Sequence, residues 1–540
     1  MKRREFLSSF AIGVPALALA PTVLLSACGS GSDMAGEGGG KDATLRVIHT
    51  QSLSSLDPIW TTAPGAREFG FLTYDQLIAV DDHFVPKPQM AEGWTIGDNG
   101  RSYVIALREG LKFHDNEPVR SQDCIPSIQR WAARDGFGQI LLEQVDGFDV
   151  IDDRHFRIRL KAPFPLLPAA LGKSSAPACL IMPERLAKTD PTTAVTEAIG
   201  SGPFRFLKDQ WVTGSKAVWE RFDGYVPRKE PASGLAGGKI ARVKSIVWSQ
   251  ITDASTALSA IQAGEQDYWD LPPADLQPAM AGNPDIVLGR RLNADTYFML
   301  QPNHQQPPFD NPAIRQALAM ALDQMAMMKS IAGNRPGDAH PSRSFYASES
   351  PYFTEAGSDV LKVADIGKAR QALASAGYKG EKVVLLSGAE NPAAALGQII
   401  EDVLRRMGMT VELVTLDFSS LTQRRTNHGP VSAGGWSLFV TGWTGGDILD
   451  PVVHPMLRGA GLKGYAGWAE DPKIEALRRQ WALAPEAQQK PLAEQLQIEA
   501  FKTLPYIPLG AVTANAAWRK TVTGVLPAPY GVYWNIGKTA

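Results

Sequence analysis

Residues 383–416 read VVLLSGAENPAAALGQIIEDVLRRMGMTVELVTL, and the change of pattern inside this stretch decides the class of fold. Val383 to Leu386 is a short apolar run that reads as a strand. Pro392 to Met407 reads as a helix, and Gly408 is placed to end it, because glycine enters the left-handed conformation after a last turn without a Cβ clash. Thr410 to Leu416 reads as a second strand, so the stretch predicts a strand–helix–strand unit and an α/β lobe. Working backwards, Asp365 caps a helix whose Ile366, Ala369, Leu373 and Ala376 share one face, with Gly377 at its end. Further back, Asn311-Pro312 opens an amphipathic helix that carries Ile314, Ala317, Leu318, Ala321, Leu322 and Met325.

The first half has a different texture. Thr44 to His49 alternates apolar and polar side chains, which suits a half-buried strand, and strand-like runs recur at Tyr103 to Leu107, Phe156 to Leu160 and Val243 to Trp248. That half therefore reads as α+β with much sheet. At 540 residues the chain exceeds the size at which one core stops growing, so two or more lobes are expected. It is 44% hydrophobic and 20% charged with a formal net charge of -2, an ordinary soluble composition without the basic excess that nucleic-acid binding needs. After the N-terminus no apolar run reaches the length of about 18 residues that spans a bilayer.

The N-terminus is an export signal by its pattern. Lys2, Arg3 and Arg4 precede an apolar stretch from Phe10 to Leu25 that is broken by Gly13, Pro15 and Pro21, which is the layout of a cleaved signal peptide. Leu25-Ser26-Ala27-Cys28 resembles a bacterial lipobox, so residues 1–28 form the leader and an acylated Cys28 would be the membrane anchor. Arg3-Arg4-Glu5-Phe6-Leu7 resembles a twin-arginine signal, and an ordinary Sec signal with a basic start is the alternative. Residues 29–42 are small and polar and read as a flexible tether. The two other cysteines, Cys124 and Cys179, are either a disulfide or two buried thiols.

No cofactor is expected. The chain lacks a His-Glu-x-x-His pattern, and its eight histidines are scattered without metal-ligand spacing. Gly172-Lys173-Ser174 and Gly537-Lys538-Thr539 each lack the earlier glycine of a phosphate loop. No nucleophile elbow or dinucleotide fingerprint occurs, so an enzyme is not expected and the catalytic set is empty.

A series of segments in fixed order resembles the dipeptide, oligopeptide and nickel group of solute-binding proteins, the family 5 type. They are Leu56-Asp57-Pro58, Tyr74-Asp75-Gln76-Leu77, Pro88 to Trp94, and Leu107 to Asn116, which resembles the family's LRxGVKFHDG with Asn116 in place of its glycine. Gly200 to Phe204, Pro308 to Asp323 and Leu504 to Pro508 continue the series. Trp94, Phe113 and Phe204 read as core aromatics and His114 as a hydrogen-bonded structural histidine.

The resemblance implies a pear-shaped, two-lobed periplasmic-binding-protein fold with a two-strand hinge. The large lobe would hold residues 43–290 plus 511–540, and the small lobe residues 291–510. It also implies a small peptide or peptide-like ligand held in the cleft between the lobes. The partners would be ABC-transporter permease subunits, the protein a monomer, and its place the periplasm or outer face of the envelope. A nickel chelate, haem, an opine or a sugar is the alternative ligand, and an envelope enzyme or a holdase the more distant reading.

The pocket candidate is the glycine-rich stretch Thr441 to Pro451, which carries Trp443, Asp447 and Asp450. In peptide-binding members an Asp of this segment pairs with the ligand's α-ammonium, and the resemblance puts that role on Asp447 or Asp450; a desolvated ammonium needs such a counter-charge. Arg425 is a candidate for a ligand carboxylate, Trp436 and Trp443 for flat ligand contacts, and Ser52 for the opposite wall.

Overall fold

The computed structural model describes residues 40–333, 335–389 and 392–539, all within one compact unit that starts at Gly38. Arg3, Arg4, Cys28 and the tether up to residue 39 lie outside the described residues. Gly40 to Asp42, read above as the end of the tether, instead dock as a turn. The Gly40 N–H donates to the Lys538 carbonyl at 2.7 Å, and Arg221 donates to the Lys41 carbonyl at 2.7 Å.

The strand–helix–strand unit forms as its pattern predicts. Strands Lys382–Gly388 and Thr410–Leu416 pair in parallel with Val383 opposite Val411, and helix Ala393–Met407 connects them, burying Leu396, Ile400, Val403, Leu404 and Met407 along one stripe. Gly408 ends the helix at φ +91°. These strands belong to a six-stranded sheet ordered Ala339–His340, Ile507–Val512, Thr296–Pro302, Leu438–Thr444, Lys382–Gly388, Thr410–Leu416. A seven-stranded sheet is ordered Ile286–Arg290, Asn515–Arg519, Tyr268–Trp269, β1 (Thr44–Ile48), Ser245–Ser249, Lys216–Arg221, Phe204–Phe206. A four-stranded antiparallel sheet of Ala91–Gly97, Ser102–Leu107, His155–Leu160 and Val145–Val150 stands beside it in sequence.

One helix is divided where the sequence pattern ran on. Pro312–Ala321 starts as expected, with the Asn311 side chain accepting from the Ala313 N–H at 2.9 Å. It stops at Leu322, whose backbone is extended, and Asp323 caps a new helix, Gln324–Ala332, by accepting from the Ala326 N–H at 3.0 Å. The apolar stripe continues across the break, and the Asp cap decides where the helix restarts.

Several motif residues of the resemblance turn out to be fasteners. Asp57 is fully buried; its carboxylate accepts from Arg130 at 2.6 and 3.3 Å and from the Ile59 and Val195 N–H groups at 3.0 and 2.8 Å. It thereby joins the first loop, helix Ser121–Arg134 and the loop around residue 195. Asp75 does the same with Lys239 and Tyr225, each at 2.8 Å. Asn116 adopts φ +69°, the left-handed turn that asparagine tolerates in place of glycine. His114 lies between the Gly202 carbonyl, 3.1 Å from Nε2, and the Gly200 N–H, 3.3 Å from Nδ1. Burial lowers its pKa to about 4, so the ring is a neutral structural group. Phe113 and Phe204 are core residues and Trp94 packs on the core edge. Cys124 and Cys179 are free, buried thiols whose pKa values burial raises.

The chain passes from the seven-stranded to the six-stranded sheet through residues 291–295, and returns through Thr513 and Ala514. The two passages are fastened to each other: the Asp295 carboxylate accepts from the Thr513 hydroxyl at 3.0 Å and from Arg290 at 2.9 Å.

Candidate ligand-binding site

Helix α1 (Pro64–Thr73) follows the loop after β1 and is buried along most of its length. Its adjacent charged residues, Arg67 and Glu68, are both buried, so each requires a compensating partner. Glu68 accepts from His49 Nε2 at 2.8 Å and from Arg291 at 2.5 Å. Asp270 accepts from the Thr50 N–H and hydroxyl at 3.0 and 2.6 Å and stands 3.8 Å from His49 and 3.9 Å from Arg291. His49 Nδ1 faces the Gln51 carbonyl at 2.6 Å. Both ring nitrogens therefore meet acceptors, which calls for the doubly protonated imidazolium. Two cations and two anions then balance.

This network sets a pH dependence. Burial opposes the charged ring of His49, but Asp270 and Glu68 outweigh it and raise its pKa above the ordinary 6.5. Burial also opposes the Glu68 carboxylate, but Arg291 and His49 outweigh it and bring it from 4.5 to about 2. The stability due to Glu68 is complete above 4.5 and lost as pH falls towards 2. That due to His49 is complete below 6.5 and lost as pH rises through its raised folded value. Thermal unfolding followed against pH is expected to show the network's contribution at its maximum between 4.5 and 6.5. His49→Gln should flatten the decline on the alkaline side, and an unchanged profile would contradict the assignment.

Arg67 faces the pocket candidate. Strand Leu438–Thr444 ends in a single tight turn, Gly445–Asp447. The Thr444 N–H and hydroxyl donate to Asp447 Oδ2 at 3.1 and 2.9 Å. Asp447 Oδ1 accepts from the Tyr530 hydroxyl at 2.6 Å and from Arg67 Nη1 at 3.1 Å. Those four donors fill the acceptor capacity of a carboxylate, and Asp447 is only 1% exposed. The Arg67 guanidinium also lies over the Tyr530 ring, 3.4 Å from its centre, a cation–π contact. A Cβ on Gly446 would stand 3.1 Å from the Phe84 ring and 3.5 Å from Pro529 and from the Ser174 hydroxyl. A side chain there would require the Phe84 ring to give by a few tenths of an ångström.

Asp450 is arranged differently. Its Oδ1 accepts from the Val452 and Val453 N–H groups at 2.8 Å each, capping the following turn. Its Oδ2 makes no hydrogen bond or ion pair among the described residues. Burial raises its carboxyl pKa, against the pull of those two N–H groups and of Arg478.

The other predicted residues divide. Trp436 does not offer a flat face to a ligand: it is fully buried, donates Nε1 to the Arg425 carbonyl at 3.0 Å, and packs edge-on to Phe439. Trp443 is 9% exposed, with Nε1 directed at Met456 Sδ and its ring against Tyr465. Arg425 donates to the Tyr465 hydroxyl at 2.7 Å. Ser52 is half-buried and lines a small pocket, open to solvent, with His49, Trp211, Trp248 and Gln250. Arg67 and Tyr530 were not singled out in the sequence. Arg67-Glu68 sits within an apolar helix whose burial periodicity cannot predict, and Tyr530 reaches the site from a stretch without regular structure.

Two sheets joined by two short passages, with residues from both ends of the chain meeting one glycine-rich turn, define a two-lobed solute-binding protein. The model of the bacterial extracellular solute-binding proteins, family 5 Middle, matches residues 85–461. The probable peptide ABC transporter periplasmic-binding protein y4tO of Sinorhizobium fredii is 35% identical over 504 residues, covering 92% of this chain and 94% of that protein. This chain belongs to the family 5 bacterial extracellular solute-binding proteins. The oligopeptide-binding protein AppA of Bacillus subtilis, solved with a nonapeptide, superposes with a TM-score of 0.78 at 19% identity, covering 93% of this chain and all of that one. AgaA of A. tumefaciens R10, solved with agropinic acid, superposes with a TM-score of 0.75 at 21% identity over 92% of this chain and 99% of that one. The family is a solute-binding transport component rather than an enzyme family. No described helix is long and apolar enough to cross a membrane.

Proposed function

We propose that this chain is the extracytoplasmic receptor of an ABC importer, which closes over a small peptide or peptide-like solute and delivers it to the permease. The observation that carries the reading is the turn Gly445–Asp447, reached by Arg67 of α1 and by Tyr530 near the C-terminus; the likeness to y4tO supports the peptide class. Cys28 would carry the lipid anchor, and Arg3 and Arg4 the export signal. The large lobe takes residues 43–290 and the small lobe starts at residue 291, with the two passages as the hinge; the return to the large lobe falls at Thr513 and Ala514 rather than at residue 511, because Ile507–Val512 is one strand of the six-stranded sheet. Closure is driven by the solute's preference for the closed form; a hundredfold shift in population requires about 2.7 kcal/mol of differential binding.

Within the site, Asp450 is the acceptor for the ligand's ammonium. Asp447 has no acceptor capacity left, whereas Oδ2 of the half-buried Asp450 has no partner among the described residues. A thermal-shift panel of di- to pentapeptides, opines, sugars and metal chelates tests the class: peptides are expected to raise the melting temperature saturably. N-acetylation of the peptide, or Asp450→Asn, should lower the affinity by about tenfold or more, the value of a charge-assisted hydrogen bond. A response confined to opines would move the assignment to the ligand class of the AgaA complex.

A further inference from the structure

We propose that Glu143 and Arg479 form a latch between the two lobes, whose making and breaking sets how long the closed form lasts. The inference rests on the receptor reading above, because it needs lobes that part.

The small-lobe stretch from Gly445 to Arg479 touches the large lobe from a buried inner end to a solvated outer one. At the inner end Asp447 holds Arg67 and Tyr530 and is 1% exposed. Further along, Arg458 lies against the start of the large-lobe helix Gly136–Gln144, where a Cβ on Gly136 would stand 3.0 Å from its Nη1. At the outer end, Arg479 of helix Pro472–Leu483 meets Glu143 near the far end of that same large-lobe helix. Nη1 donates to Oε2 and Nη2 to Oε1, the latter at 2.9 Å. The two side chains are 59% and 44% exposed.

Two features make this pair a latch. First, each side chain has its ionic partner on the other lobe. The carboxylate one turn before Arg479 on its own helix, Glu475, would suit it by spacing. That carboxylate already accepts from Arg458 and the Gly459 N–H at 2.9 Å each and from Arg478 at 3.3 Å. Glu143 makes no other ion pair among the described residues. Parting the lobes therefore breaks the pair outright. Second, the two-bond fork of a guanidinium on a carboxylate fixes orientation as well as distance, and both carriers are firmly placed. Asp135 caps the helix of Glu143, accepting from the Phe137 and Gly138 N–H groups at 2.9 Å each, and Asp471 caps the helix of Arg479, accepting from the Lys473 N–H at 3.0 Å. Asp135 also pairs with Lys173 at 2.7 Å, the neighbour of the Ser174 that lies against Gly446. The helix of Glu143 is thereby tied to the inner end of the seam. A solvated ion pair shifts an equilibrium by about two- to fivefold and weakens with salt. The latch accordingly tunes retention of the solute and does not replace the solute in closing the lobes.

The test places spin labels at Gln139→Cys and Gln480→Cys, exposed positions one turn before Glu143 and beside Arg479, in a Cys28→Ser background. Cys124 and Cys179 are too buried to take a label. Pulsed electron resonance on the solute-free protein then reports the closed form as a short distance and the open form as a long one. Glu143→Gln and Arg479→Gln are each expected to lower the short-to-long ratio about two- to fivefold, and the double variant no further than either alone. The exchange Glu143→Arg with Arg479→Glu should restore the ratio. Salt at about 1 M, where the screening length is about 3 Å, should lower the ratio only where the pair is present. Should the solute-free protein show the long distance alone, the comparison is read on the release rate of the panel solute that raises the melting temperature: release about two- to fivefold faster in both single variants upholds the latch, and an unchanged rate overturns it. Two distances in a ratio that no variant alters overturn the latch and leave the receptor reading standing. One distance, the same in every variant and with every solute of the panel, overturns both.

Discussion

Asp57→Ala is expected to lower the stability of the protein by about 3–5 kcal/mol, the range for removing one partner of a buried ion pair. The loss is large because of what remains behind. Arg130 is 2% exposed, and without Asp57 its guanidinium keeps, among the described residues, only the carbonyl partners of Thr189 and Thr193. The Ile59 and Val195 amides also lose their acceptors, each of which adds to the cost of an unsatisfied buried donor. Denaturant unfolding of Asp57→Ala beside Asp57→Asn checks this: the amide keeps acceptor geometry without charge and should fall between. A loss under about 1 kcal/mol, the value of an exposed pair, would show that Asp57 is not a fastener.

Asp447→Ala should cost a similar amount, about 3–5 kcal/mol, and should also remove ligand-induced stabilisation, because the alanine frees Arg67 and Tyr530 together. Loss of function alone would not distinguish a fastener from a ligand contact, so the decisive comparison is the double variant Arg67→Met with Asp447→Ala. Replacing both members of a buried pair by apolar groups is far cheaper than removing one. The double variant is therefore expected to recover most of the stability while remaining unable to respond to ligand. A double variant that falls by the sum of the two single losses would show that the side chains are uncoupled.

Much of the scaffold was legible because it rests on local chemistry. The strand–helix–strand unit at 383–416 could be read from a change of period and from Gly408, and Asn311 and Asp365 cap the helices that their positions announce. The site was legible only in part. The glycine-rich turn stood out by composition, but composition cannot tell that Asp447 is already neutralised by a residue 380 positions away. Nor does it reveal that Trp436 is fully buried against Phe439. Buried charge pairing depends on long-range geometry, which sequence spacing does not carry. The division of the helix at Leu322 shows the opposite limit: a continuous apolar stripe concealed a local cap at Asp323.

The place of strand Asn515–Arg519 bears on how the protein is made. It lies between Ile286–Arg290 and Tyr268–Trp269, pairing with both. Until residue 515 has been synthesised, the first sheet is therefore split, with two bare strand edges facing a gap one strand wide. A nascent chain stalled or truncated anywhere upstream would present those edges to other chains. Only when Asn515–Arg519 has emerged can they close, so the arrival of that strand acts as the checkpoint for a sheet whose first strand begins at Thr44.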